Sequence, residues 1–254
     1  MRVSAGCKLR ASAAALLGVL VAGCPVRTQV PGAQPVRAPA PAAAHLGVPY
    51  DIVAAESLLT IRVYRGGALA SAGHNHLIAC RALRGTVYVP EDIMRSSFEV
   101  HIPVAELTVD EAALREQELS ADFPAQVADS AREGTRRNML GEALLDAAHN
   151  PEILLSGARL EGAAAASGAA AGEPTALAQV GATLRGQTHT LSVPLHYQLE
   201  GGQLVAAGET ALRQTDLGLT PFSAMLGALQ VQDEMRIRFR IVARAAQQPD
   251  EPRH

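Results

Sequence analysis

Two histidines two residues apart, in Gly73-His74-Asn75-His76-Leu77, have the type and spacing best suited to chemistry. On an extended strand such a pair projects from one face. Two imidazoles on one face can bind a Zn²⁺ or Cu²⁺ ion. A stable site needs a third or fourth ligand, and His101, His149, His189 and His196 are candidates that no motif ties to the pair. The plainer reading puts His74 and His76 at a cavity mouth, making hydrogen bonds or touching a polar headgroup. We adopt it, and expect no metal and no cofactor. The letters His-Asn-His also suggest a nuclease, but the surrounding chain is strand-rich and acidic and lacks the further metal ligands such a fold needs.

Covalent catalysis has little to build on. No Gly-x-Ser-x-Gly elbow is present. Cys80 sits in an apolar run without a histidine at a diagnostic spacing, which fits a buried, inert thiol. Asp110 with Glu111, and Glu116 with Glu118, read as solvated surface charges. The only lysine is Lys8, within the segment read below as a leader, so Schiff-base, pyridoxal-phosphate and P-loop chemistry are excluded. No catalytic residue is expected.

Cys24 is a different matter. Arg2, Lys8 and Arg10 precede an apolar run from Ala11 to Ala22, too short for a membrane span and of the size of a secretory signal core. Leu20-Val21-Ala22-Gly23-Cys24 then resembles a bacterial lipobox, in which the cysteine is acylated and becomes the first mature residue. Residues 1–23 are read as the leader. Of the three cysteines, Cys7 leaves with the leader and Cys24 carries lipid. Cys80 then has no intramolecular disulfide partner. Removing the leader takes three basic residues from 22, leaving 19 against 25 acidic, a net charge of −6. Such a chain is a poor ligand for phosphate backbones, so no nucleic-acid partner is expected. Pro25, where an inner-membrane retention signal would place aspartate, suggests an outer-membrane address in the cell envelope, facing the periplasm.

The elements that position these residues are mostly strands. A Pro/Ala-rich linker is expected over 24–47, one domain over 48–245 and a frayed tail over 246–254. Period-2 alternation marks strands at Leu59-Ile61-Val63, Phe98-Val100-Ile102-Val104, His189 to Leu199 and Met235 to Ala243. In the last, Arg236, Arg238 and Arg240 share the opposite face. Gly201-Gly202 signals a hairpin. Residues 111–150 carry helix formers without alternation and predict one or two helices, ended by Asn150-Pro151. An Ala/Gly-rich stretch, 161–176, reads as a long loop. About eight antiparallel strands with one wet face close into a barrel or pair into a sandwich, and their length favours a barrel with a cavity.

From Val48 to Ala243 the sequence resembles the YceI-like, polyisoprenoid-binding proteins. The resemblance rests on Tyr50-Asp51-Ile52 with Thr60-Ile61-Arg62-Val63, on Leu83-Arg84-Gly85-Thr86-Val87, and on Thr135-Arg136-Arg137-Asn138-Met139-Leu140. It continues through Asn150-Pro151-Glu152-Ile153, Gly181 to Thr188 with Leu191 to Leu195, and Gln214-Thr215-Asp216-Leu217-Gly218. Tyr64 and Arg65 stand where the family usually has a histidine, and aromatic residues are few.

The resemblance implies an all-β, eight-stranded, lipocalin-like barrel with one or two helices in mid-chain. It also implies a long apolar ligand, such as a polyisoprenoid, quinone or fatty-acyl chain, bound without catalysis. The residues assigned to the lipid are Ile61, Val63, Phe98, Val100, Ile102, Leu191, Val193, Leu195, Ile237 and Phe239, with His74 and His76 at the mouth. Alternation alone leaves a closed core equally open. The partners expected are the lipid itself and a membrane reached through the Cys24 anchor, with a homodimer left open. The competing functions are a metal-dependent or histidine-based envelope enzyme and a solid-barrel scaffold.

Overall fold

The computed structural model describes residues 45–118, 120–162 and 175–246. The leader, Cys24, nearly all of the linker, residues 163–174 of the Ala/Gly-rich loop and the tail from 247 lie outside the described residues. The described residues belong to one compact unit, 44–254.

Eight antiparallel strands form the wall, four of them in two segments. They are β1 (Val48–Ile52 and Leu58–Gly66), β2 (His76–Cys80 and Arg84–Val89), β3 (Ser97–Pro103 and Thr108–Val109) and β4 (Glu152–Gly157 and Leu160–Gly162). They continue as β5 (Thr175–Leu184), β6 (Gln187–Glu200), β7 (Gln203–Arg213) and β8 (Leu229–Ala245). Each strand pairs with its neighbours in sequence, and β8 returns to both segments of β1, with Ala245 opposite Tyr50 and Ile237 opposite Ile61. The barrel is therefore closed and up-and-down, its first and last strands paired with each other.

Local chemistry explains the turns and breaks. Gly201 and Gly202 both take positive φ, 56° and 77°, as a tight two-residue hairpin requires. Ser57 interrupts β1: its Oγ donates to the Val53 carbonyl at 2.9 Å and accepts from the Val242 N–H at 3.0 Å, replacing a ladder bond. At Gly85 a Cβ would lie 2.0 Å from the Glu99 carbonyl oxygen, so only glycine lets β2 approach β3 there.

Two helices, α1 (Ala112–Gln117) and α2 (Asp129–Leu140), fall in the predicted region. The helical run stops at Leu140 rather than at Asn150-Pro151. The chain leaves the helix at Gly141, which is extended (φ −70°, ψ 164°), and Asp146, at φ 47°, then accepts the Asn150 N–H on its carbonyl at 2.9 Å in the turns that follow.

Packing is concentrated at the two ends of the barrel. The larger cluster includes Ile78, Leu83, Val104, Met139, Leu145 and Leu217, beneath α2 and the turn after it. The smaller joins Tyr50, Val89, Leu204 and Ala243 at the opposite end. A third, Leu77, Ala79, Leu114 and Phe123, lies outside the wall, where α1 and the segment after it cover β2. That cover buries both faces of His76–Cys80 and accounts for its unbroken apolar run.

Candidate functional site

Between the two end clusters the barrel is hollow. The cavity measures about 650 Å³, within the range of small-molecule sites. All ten residues assigned to the lipid from sequence line it, together with inward neighbours such as Leu59, Met235, Ile241 and Leu155. Ile61, Phe98, Leu191, Val193, Leu195, Ile237 and Phe239 point inward yet are only half-buried. In a close-packed core those positions would be sealed; here their remaining surface faces the cavity.

Polar groups gather at one end. Arg65, His74, His76, Thr135, Asn138 and Gln214 border the cavity near α2, while Ser96 lies towards the other end. Lining residues that are also exposed — Arg65, Ala72, His74, Asn138, Phe222 and Gln230 — all belong to the α2 end. The cavity opens there.

The His-Asn-His segment forms part of this rim, and each of its residues does something different. His74 precedes β2 and is exposed, with its ring centroid 6.1 Å from that of His76. Asn75 is buried: its Oδ1 accepts from the Arg65 N–H at 2.9 Å and its Nδ2 donates to the Asp122 carbonyl at 3.0 Å. His76, the first residue of β2, places Nδ1 2.6 Å from Asp110 Oδ2 and Nε2 3.0 Å from Thr135 Oγ1 on α2. With Nδ1–H donating to the carboxylate, Nε2 accepts from the threonine hydroxyl. Both ring nitrogens are engaged within the protein.

Asp110 is the hub. Read from sequence as a solvated charge, it is fully buried, because φ 54° turns it inward between β3 and α1. Its Oδ1 accepts from the Leu77 N–H at 2.9 Å and from Arg115 Nη1 at 2.6 Å. Arg115, equally buried, also donates to the Asn75 carbonyl at 3.1 Å and the Pro124 carbonyl at 2.7 Å, and lies over the Phe123 ring. Burial by itself pushes the Asp110 carboxyl up. The bonds from His76, Leu77 and Arg115 outweigh it and hold the group below the usual carboxylate range. Sequence reasoning missed this network, since no periodicity marks a charged pair that folds inward across a turn. Glu118, also read as solvated, pairs with Arg62 at 2.7 Å.

Of the other histidines, His101 bridges Glu99 and Glu152 on the outer surface, and His149 bonds Asp146 in the turn after α2. Neither joins the pair at the mouth. Among the described residues, no group of three or more His, Cys, Asp or Glu side chains is arranged to hold a metal ion. Cys80 is fully buried, and burial pushes its thiol up.

A closed eight-stranded barrel around an apolar cavity is the lipocalin-like class of binding fold. The YceI-like domain family matches residues 50–243, and this chain belongs to it. Among solved structures, Burkholderia cenocepacia BcnA is similar at 15% identity and TM-score 0.53, over 76% of this chain and 99% of that one. A polyisoprenoid-binding domain from Saccharophagus degradans, implicated in plant cell wall breakdown, aligns at 12% identity and TM-score 0.49, over 78% and 99%. The YceI protein of Campylobacter jejuni aligns at 7% and 0.46, over 67% and 85%. No curated protein matches the chain.

Proposed function

We propose that this protein carries a long apolar ligand — a polyisoprenoid, quinone or fatty-acyl chain — in its barrel and does no chemistry on it. The observation that carries the reading is the hollow, apolar lumen of about 650 Å³, lined by all ten residues assigned to the lipid. Each buried methylene contributes ~0.8 kcal/mol, so a long chain gains far more than a small ligand before its ordering cost is subtracted. Membership of the YceI-like family supports the same assignment. So does the engagement of both His76 nitrogens with protein groups, which leaves that ring no free lone pair for a substrate or metal.

The same proposal places the protein in the cell envelope, facing the periplasm. Its anchor is an acylated Cys24, with the outer membrane favoured by Pro25. Native mass spectrometry of protein purified from its own host tests the cargo. A bound mass that organic extraction resolves as an isoprenoid, quinone or acyl chain is expected. Protein that carries no lipid, from a host that makes all three, contradicts the reading.

A further inference from the structure

The cavity mouth carries an exposed apolar surface. Among the described residues, the exposed large apolar side chains include Leu69, Phe222, Met225 and Leu226. All four come from two loops, 66–74 after β1 and 218–229 before β8. The loops are joined: the Leu69 N–H meets the Ala228 carbonyl at 2.7 Å. They are also the rim itself, since Ala72, Gly73, His74, Phe222 and Leu229 line the cavity. Leu226 is fully exposed and Met225 is 68% exposed.

Three features identify what this surface meets. Its apolar area is continuous with the lumen through Phe222, which both lines the cavity and faces outward. Neither loop contains an Asp, Glu, Lys or Arg, in a chain where 19% of residues are charged. Met225 and Leu226 hold φ at 51° and 56°, a backbone state that ordinary side chains resist. Backbone strain is thus spent on projecting two apolar side chains into solvent beside an opening. Arg65 stands at the same rim, exposed, with Nη1 donating to the Gly73 carbonyl.

We infer that this knuckle docks into the surface of a phospholipid bilayer, with Met225 and Leu226 in the acyl boundary and Arg65 near the phosphates. The inference rests on the cavity reading above. A long apolar chain is supplied dissolved in a membrane, and the uncharged side of the mouth formed by these two loops lets it cross without meeting water.

The chain has no tryptophan, so Leu226→Trp introduces the sole indole. Leu199→Trp is the control: Leu199 is also exposed, but beside the Gly201-Gly202 hairpin at the other end. Full-length protein is mixed with phosphatidylcholine vesicles carrying nitroxide-labelled acyl chains. Emission from the Leu226→Trp variant should shift blue and be quenched, while that from Leu199→Trp is unchanged. A terminal acyl anchor would bring both variants to the vesicle, so the difference between them reads the surface alone. Leu226→Gly relieves the strained backbone. It should keep or raise the melting temperature while slowing lipid transfer from vesicles roughly tenfold.

Equal behaviour of the two indoles overturns the inference. So does a concentration-dependent blue shift without vesicles, which assigns the surface to a second copy of the chain. Lipid extracted from wild type, together with an indole at position 226 that stays in water, would leave the cavity reading standing and remove only this one.

Discussion

The lumen wall and the cluster around Asp110 are both withdrawn from solvent, but they obey different rules. The wall is made of apolar groups around empty volume, so substitutions there act through the space they fill. The cluster is made of charges and fixed donors: Asp110, Arg115, His76 and Thr135 each satisfy a neighbour. The barrel thus has an apolar lumen whose rim is held by charged and hydrogen-bonded groups. Breaking the two regions should look unlike.

The largest effect is expected at the hub. Asp110→Ala leaves the Arg115 guanidinium buried without its carboxylate, which costs ~3–5 kcal/mol, and urea unfolding should show it. His76→Ala removes one bond to the hub and one to α2, a smaller loss of ~1–3 kcal/mol. Exposed His74→Ala should be close to neutral by the same measurement. Equal losses at 74 and 76 would show that the two histidines do not differ in role.

The pH response sharpens the contrast. Asp110 is held below its ordinary pKa, so its contribution is complete above about pH 4 and fades as pH falls through the folded value. Thermal melts between about pH 2 and pH 5 should therefore show a steeper acid limb in wild type than in Asp110→Asn. A smaller, opposite pH response is expected on the outer wall. The Glu99 bond chiefly, and Glu152 with it, raise His101 against a lesser opposing effect of burial. Its contribution is present below about pH 6.5 and is lost as pH rises through the raised value. His101→Gln should cost ~0.2–1 kcal/mol near pH 5.5 and almost nothing near pH 9.

The wall was legible in the sequence because a strand with one wet face writes its inward positions at every second residue. Met235, Ile237, Phe239, Ile241 and Ala243 of β8 all line the cavity, as their alternation indicated. The strand itself is longer than the alternation suggested, because a bulge between Val231 and Met235 shifts the register before the clean pattern begins. Whether the inward groups meet one another or surround a void is a matter of volume, on which period-2 spacing is silent. The cluster was illegible for another reason. Asp110, Arg115 and Thr135 come from a turn and two helices whose partner, His76, lies 34 residues before Asp110, and nothing local marks a charge that will be buried.

Val193→Trp separates a lumen that holds a lipid from a barrel with a solid core. Val193 lines the cavity from β6 and is only half-buried. In a cavity the indole takes the ligand's place: the melting temperature should hold near that of wild type, while the isoprenoid or acyl chain extracted with organic solvent disappears. In a packed barrel the added ring must displace its neighbours at ~1–3 kcal/mol. A destabilised Val193→Trp, beside a wild type from which no lipid can be extracted, would contradict the account.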